Sequence, residues 1–176
     1  MGLTRALFRL ILGKRPPVTE GSIRIEGLHD EVEILRDRWG IPHIRAANDA
    51  DAWFAAGFCQ GQDRSFQLEV LLRLGRGTLA ALVGPDALVV DRLGRRIGFY
   101  ESAKSRLEVQ EKSFLEPVEA FAHGVNRGRD EGHSKVAHEF SLLRSTPSEF
   151  TVLDTSAILS LLSFLLAANW DQELAR

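Results

Sequence analysis

Sulfur is almost missing from this 176-residue chain, which has one cysteine and one methionine. A lone Cys59 excludes a disulfide framework and a thiolate metal site within the chain. Charge of one sign is lacking as well. Twenty-two Lys and Arg face 24 Asp and Glu, for a net charge of −2, whereas a nucleic-acid partner calls for a net basic face. There is no apolar run of the roughly 20 residues that cross a bilayer; the uncharged stretch Thr155–Trp170 carries Ser156, Ser160, Ser163 and Asn169. A secretion signal is not legible, because Arg5 and Arg9 break up the apolar start, which falls short of an apolar core of about 7–15 residues. Cytoplasmic residence is therefore expected, and a membrane partner is not. Repeats and low-complexity tracts are also lacking.

What is present reads as ordinary globular protein, with 44% hydrophobic and 26% charged residues, in one domain or one subunit of something larger. Residues 1–20 form a basic, amphipathic lead closed by Lys14-Arg15-Pro16-Pro17, and residues 21–176 the domain proper. Ile23, Ile25, Val32 and Ile34 alternate with charged residues, which predicts two short strands joined by the Gly27–Asp30 turn. Trp39-Gly40 then turns the chain, and Pro42 keeps Ile41 extended.

Asn48 is placed to cap a helix with Asp49 and Asp51 in its first turn. Gly57 and Gly61 predict either close helix contact or a break near Gly61. "TLAALVG" is one more short helix, followed by helices at 86–95, 98–109 and 113–129, a polar loop at 130–136, and an apolar helix at about 153–169. A final helix that is apolar nearly all round needs a cover, since a terminal helix normally keeps one wet face.

The chemistry-bearing residues are few. His43 sits behind Pro42 with Asp37 six residues away, so it is either a general base oriented by Asp37 or a residue bonded to backbone in a turn. His123, His133 and His138 are spaced too unevenly around a helix to share a ligand. Gly75-Arg76-Gly77 has no following Lys-Ser/Thr, so it is no phosphate loop. In "QGQDRSFQLE" polar groups crowd an apolar neighbourhood, and Asp63 and Arg64 have signs complementary to Arg36 and Asp37. Pairing between these segments would pin the strands to the helix. Near the end, Trp170 offers a flat pocket wall, and Glu173 offers one or two of the six to eight oxygens calcium takes.

Taken in order, "RDRWGIPHIRA", "DAWFAAGFCQGQDRSFQLEVLLRLGRGTLAALVG", "EAFAHGVN" and "LLAANWDQELAR" resemble the α-chain of the penicillin acylase family, over residues 20 to 176. Gly61 and Phe150 depart from the alanine and tryptophan common there. The resemblance implies an α+β fold: a mostly helical α-subunit with a few N-terminal strands, half of a four-layer αββα N-terminal nucleophile hydrolase heterodimer. It implies a β-chain partner cut from the same precursor, whose N-terminal serine is the nucleophile, so that this chain holds no catalytic residue. It implies an N-acylated small molecule as substrate, of the penicillin, cephalosporin or acyl-homoserine lactone type. Leu166, Asn169 and Trp170 would line the acyl pocket, and Glu173 would join β-chain ligands on a structural calcium ion. Members are often exported, which makes the periplasm the family expectation. Two rival readings stand beside it: a non-catalytic helical module covering a partner's apolar surface, and a self-contained enzyme using His43.

Overall fold

The computed structural model describes Gly13 and residues 15–167. Glu33–Arg36 (β1) and Pro42–Arg45 (β2) pair antiparallel, with Ile34 opposite Ile44 and Leu35 opposite His43. Helices follow: α1 (Asp49–Arg76), α2 (Ala80–Val83), α3 (Leu88–Ile97), α4 (Phe99–Leu107), α5 (Lys112–Glu131), α6 (His138–Leu142) and α7 (Val152–Leu166). The described chain is mostly helical with a small two-stranded sheet, as expected from the sequence. None of its helices is long and apolar enough to cross a membrane.

The hairpin differs from its expectation. Residues 22–32 join no ladder, and the turn that closes the sheet is Trp39-Gly40 rather than Gly27–Asp30. The reason is local. Asp37 Oδ1 accepts from the Trp39 and Ile41 amides at 2.8 and 3.0 Å, and Gly40 takes φ +80, a conformation that suits glycine. At Gly27–Asp30 the His29 and Asp30 amides turn instead to the Asp51 carboxylate, at 2.9 Å each.

Asn48 caps α1 as expected, accepting from the Asp51 amide at 2.9 Å, and Gly77 ends the helix in the left-handed conformation. The break expected near Gly61 is a kink at Arg64, three positions on, where the backbone leaves helical angles (φ −130, ψ 24) and two helical segments join. Gly57 and Gly61 themselves serve close contact. A Cβ at either would stand 2.1 Å from a carbonyl oxygen of α5, that of Phe121 or Val125. The partner helix answers in kind, since a Cβ on Gly124 or Gly128 would meet the Phe54 or Phe58 carbonyl at 1.9 or 2.0 Å. Backbone lies against backbone, a distance at which Cα–H groups reach facing carbonyls. Next to this seam, Leu72, Ala122, Val125, Phe150 and Ile158 form the apolar core.

α7 starts with a capping box in which Thr151 and Asp154 satisfy each other's amides, one of the strongest helix-start devices. It packs on α1 and α4, where Phe164 meets Phe99 edge to face at 5.5 Å. Within the described residues its cover is partial: Leu159, Leu162, Leu165 and Leu166 face outward, with Leu166 82% exposed, which leaves open the need for a cover expected from the sequence. The short helix α6 lies in a stretch the sequence pattern left without an element.

Candidate functional site

Of the residues the family resemblance assigns to the acyl pocket and the calcium ion, only Leu166 is described; Asn169, Trp170 and Glu173 lie outside the described residues. What the structure does display is how α7, the helix leading to them, is fixed. Its root is held by charges the sequence reading did not single out.

Arg76, at the end of α1, grips Asp154 with two bonds of 2.7 Å, from Nε and from Nη2, and also reaches the Glu149 carbonyl at 3.0 Å. Two such bonds in parallel fix orientation as well as distance. Two turns back, Glu69 is fully buried. It accepts from Arg73 Nε at 2.7 Å, from the Ser148 amide at 2.9 Å and from the Ser148 hydroxyl at 2.7 Å. Arg129 of α5 stands 3.9 Å from the same carboxylate and donates to the Ser148 carbonyl at 2.7 Å. Asn126 closes the set by bonding both the amide and the carbonyl of Phe150, at 2.9 and 2.8 Å. Residues 148–154, the approach to α7 and its first turn, are thus clamped to α1 and α5.

Burial opposes the charge on Glu69, yet the Ser148 hydroxyl and amide and the Arg73 guanidinium outweigh it and hold its carboxyl below the ordinary value. Burial likewise works against Arg76, but Asp154 overcomes it and raises the guanidinium's pKa, while for Arg129 burial prevails and lowers it. Asp51 repeats the Glu69 pattern, with burial overcome by the His29 amide, the Asn48 side chain and the Asp30 amide. Each of these charges is met by hydrogen bonds or an opposite charge, which is how buried ions are tolerated, although the buried Arg129 Nε itself has no partner among the described residues.

The polar crowd in "QGQDRSFQLE" does the pinning expected of it, through one of the two expected pairs, Arg36–Asp63, with Gln62 added. Arg36 donates to Asp63 at 2.9 Å and to Gln62 at 2.6 Å. Gln62 in turn donates to the carbonyls of Val18 and Gly132, at 2.9 and 2.8 Å. Arg64 is exposed and takes no part, and Asp37 serves its own turn. The Ile41 amide is the main reason the Asp37 carboxyl lies below its usual range.

His43 does not bond the backbone. Its Nε2 lies 3.6 Å from Asp37 Oδ2, and its side chain is 63% exposed, too long for a hydrogen bond and too wet for an oriented base. His133 Nε2 bonds the Gln62 carbonyl. Among the described residues no three His, Cys, Asp or Glu side chains gather closely enough to hold a metal ion. A groove of about 490 Å³ runs between residues 18–36 and α1, floored by Phe54 and Phe58; its charged and polar lining is Thr19, Ser22, Arg36, Gln62 and three glutamates, with no histidine, cysteine or lysine among them.

The comparisons with known proteins agree with this architecture. The penicillin amidase family model matches residues 31–176. The chain is 34% identical over 155 residues to penicillin acylase 2 proenzyme of Pseudomonas sp. (strain SE83), covering 88% of this chain and 20% of that protein. It is 31% identical over 159 residues to acyl-homoserine lactone acylase QuiP of Pseudomonas aeruginosa, covering 90% and 19%. The thermostable penicillin G acylase from Alcaligenes faecalis superposes with a TM-score of 0.64 at 26% identity, over 73% of this chain and 69% of that one. The chain spans about a fifth of the length of the sequence relatives it matches. It belongs to the penicillin amidase family.

Proposed function

We propose that this chain is the non-nucleophile subunit of an amidohydrolase that removes the acyl group from N-acylated small molecules. The observation that carries the reading is the family match over residues 31–176, joined to relatives named as penicillin acylase and acyl-homoserine lactone acylase. The companion is a β-chain from the same precursor. Its N-terminal serine attacks the amide carbonyl while its own α-amine takes the hydroxyl proton and passes it to the amine that leaves as the C–N bond breaks; water then hydrolyses the acyl-serine ester and releases the acid, the logic of an N-terminal nucleophile.

This chain's part is to place a wall. α7 projects from a root locked by Arg76–Asp154 and Glu69–Arg73–Arg129; Leu166 closes the helix, and with Asn169 and Trp170, which follow in sequence, it would line the acyl pocket. Apolar and aromatic faces there select an aliphatic or aromatic acyl chain. Four layers of the αββα kind form only with the companion, whose strands extend the two-stranded sheet; a lone hairpin is marginal in water. Glu173 supplies too few oxygens for calcium by itself, and the described residues do not add a site. The proposed ion would draw its other ligands from the companion, and no catalytic step depends on it. Residence in the cytoplasm belongs to this proposal too.

The test is to express the whole precursor, sequence the N-termini of the mature chains and assay release of free acid from an N-acyl amide. A companion beginning with serine, together with hydrolysis, supports the proposal. An unprocessed polypeptide, or one that binds a partner without hydrolysing amides, favours the helical binding module instead.

A further inference from the structure

α3 is held to the body by one side only. Asp91, 6% exposed, points inward and accepts from the Leu79 and Ala80 amides at 2.7 and 2.8 Å. Gly94 is buried on the same side, where an added Cβ would lie 3.3 Å from the Leu74 carbonyl. At 3.6 residues per turn the opposite side presents positions 89, 93 and 97 as one stripe with 92 and 96 beside it. Those residues are Val89, Leu93 and Ile97, which are 73%, 53% and 38% exposed, flanked by the exposed Arg92 and Arg96. Leu88 and Val90, 43% and 45% exposed, widen the patch, and Val83 of α2, 51% exposed, lies close by in sequence. Single exposed aliphatics are ordinary, but a run of this kind on one helix marks a surface that something covers.

Charge says what covers it. The acid of α3, Asp91, is turned inward, and the Arg95 head group is occupied by the Gly77 carbonyl at 2.8 Å. The open side therefore offers apolar carbon bordered by two arginines with no acid from its own helix. We propose that this face of α3 docks an apolar segment bordered by carboxylates, supplied by the companion polypeptide. The proposal rests on the reading of this chain as one part of a longer acylase: it corresponds to 20% of the penicillin acylase 2 proenzyme, so most of the mass available to cover it lies in the companion. A protein partner fits better than an anionic bilayer. Interfacial helices bury a whole apolar face in the headgroup region, and this ten-residue helix has one flank already bound to α1.

The experiment uses the full precursor with an affinity tag on the companion portion. Val89→Asp with Leu93→Asp should cut the amount of this chain recovered with the tagged companion by about tenfold or more, the scale of losing a buried interface anchor. Arg92→Glu with Arg96→Glu should lower recovery less, and should remove the part of the association that added salt weakens. Val109→Asp, on a residue 78% exposed outside α3, should leave recovery unchanged. Circular dichroism melts of the arginine variant should match the parent, since neither side chain holds the fold, and this variant keeps the test meaningful if the aspartates disturb folding. Unchanged recovery in both α3 variants overturns the proposal. So does binding of the parent to anionic phospholipid vesicles that the arginine variant loses, or self-association of this chain through α3. Recovery that falls as stated in a complex without amide hydrolysis would refute the functional reading and leave this docking surface standing.

Discussion

The seam between α1 and α5 and the outward faces of α3 and α7 are built on opposite terms. At the seam little is left over. Four glycines let two backbones touch, and beside them Glu69, Arg129 and Asp154 are buried against opposite charges. On the outward faces leucines and valines stand in water, uncovered by any of the described residues. The difference teaches that the helical body is held together by its own contacts while, on the proposed reading, its surface is half of an interface. Stability should accordingly depend on the seam, and assembly on the outer faces.

The comparison breaks most directly at Glu69. Glu69→Ala would strand Arg73 and Arg129 and leave the Ser148 amide without its acceptor, at a cost of about 3–5 kcal/mol, the range for removing one partner of a buried ion pair. Urea unfolding monitored by circular dichroism reads this. The same residue sets a pH dependence. Because its folded pKa lies below the ordinary 4.5, its stabilisation is present above that value and is lost as pH falls through the folded pKa. Asp51 adds to the loss in the same direction, from its ordinary 3.8 downward. Glu69→Gln should flatten the acid limb of a stability–pH curve; an unchanged limb would remove Glu69 from the account.

Gly124→Ala comes next. Its methyl would meet the Phe54 carbonyl at 1.9 Å, and forcing the helices apart should cost about 2–3 kcal/mol, read as a lowered urea midpoint with an unchanged slope. Asn48→Ala removes the α1 cap and should cost about 1 kcal/mol. Smallest of all for the chain itself is Leu159→Ser with Leu165→Ser on the outer side of α7, at 60% and 61% exposed. It should move stability by no more than about 0.5 kcal/mol, while sharply lowering co-purification with the companion. If the order were reversed, with the outer leucines costly and Glu69 cheap, the contrast between the two regions would be wrong.

The sequence made some of this legible and hid the rest for physical reasons. Asn48, the helical periods and the final apolar helix are local signals, and they led to the right elements. Gly57 and Gly61 announced a close contact, but only from one side; Gly124 and Gly128, which complete it, sit in a helix whose pattern looks ordinary. The hairpin was misplaced because alternation at Ile23 and Ile25 carries no information about pairing. The choice was made by the Asp37 carboxylate in one turn and by Asp51, more than twenty residues away, in the other. Glu69 was unreadable for a similar reason: a carboxylate in an amphipathic helix looks solvated until Ser148 and Arg129 arrive from distant segments. The need of the last helix for a cover was legible, though in this chain it shows as a bare face rather than a buried one. The residues that would line the pocket beyond Leu166 lie past the described helix, so their assignment still rests on family likeness.

The central claim is that this chain shapes and braces a site whose reactive atom lies in the companion. Treating the mature, processed protein with a serine-reactive sulfonyl fluoride and weighing each chain by mass spectrometry tests it most directly. The account predicts one adduct, on the first residue of the companion, with this chain unmodified and amide hydrolysis abolished. An adduct on this chain that abolished hydrolysis would contradict it.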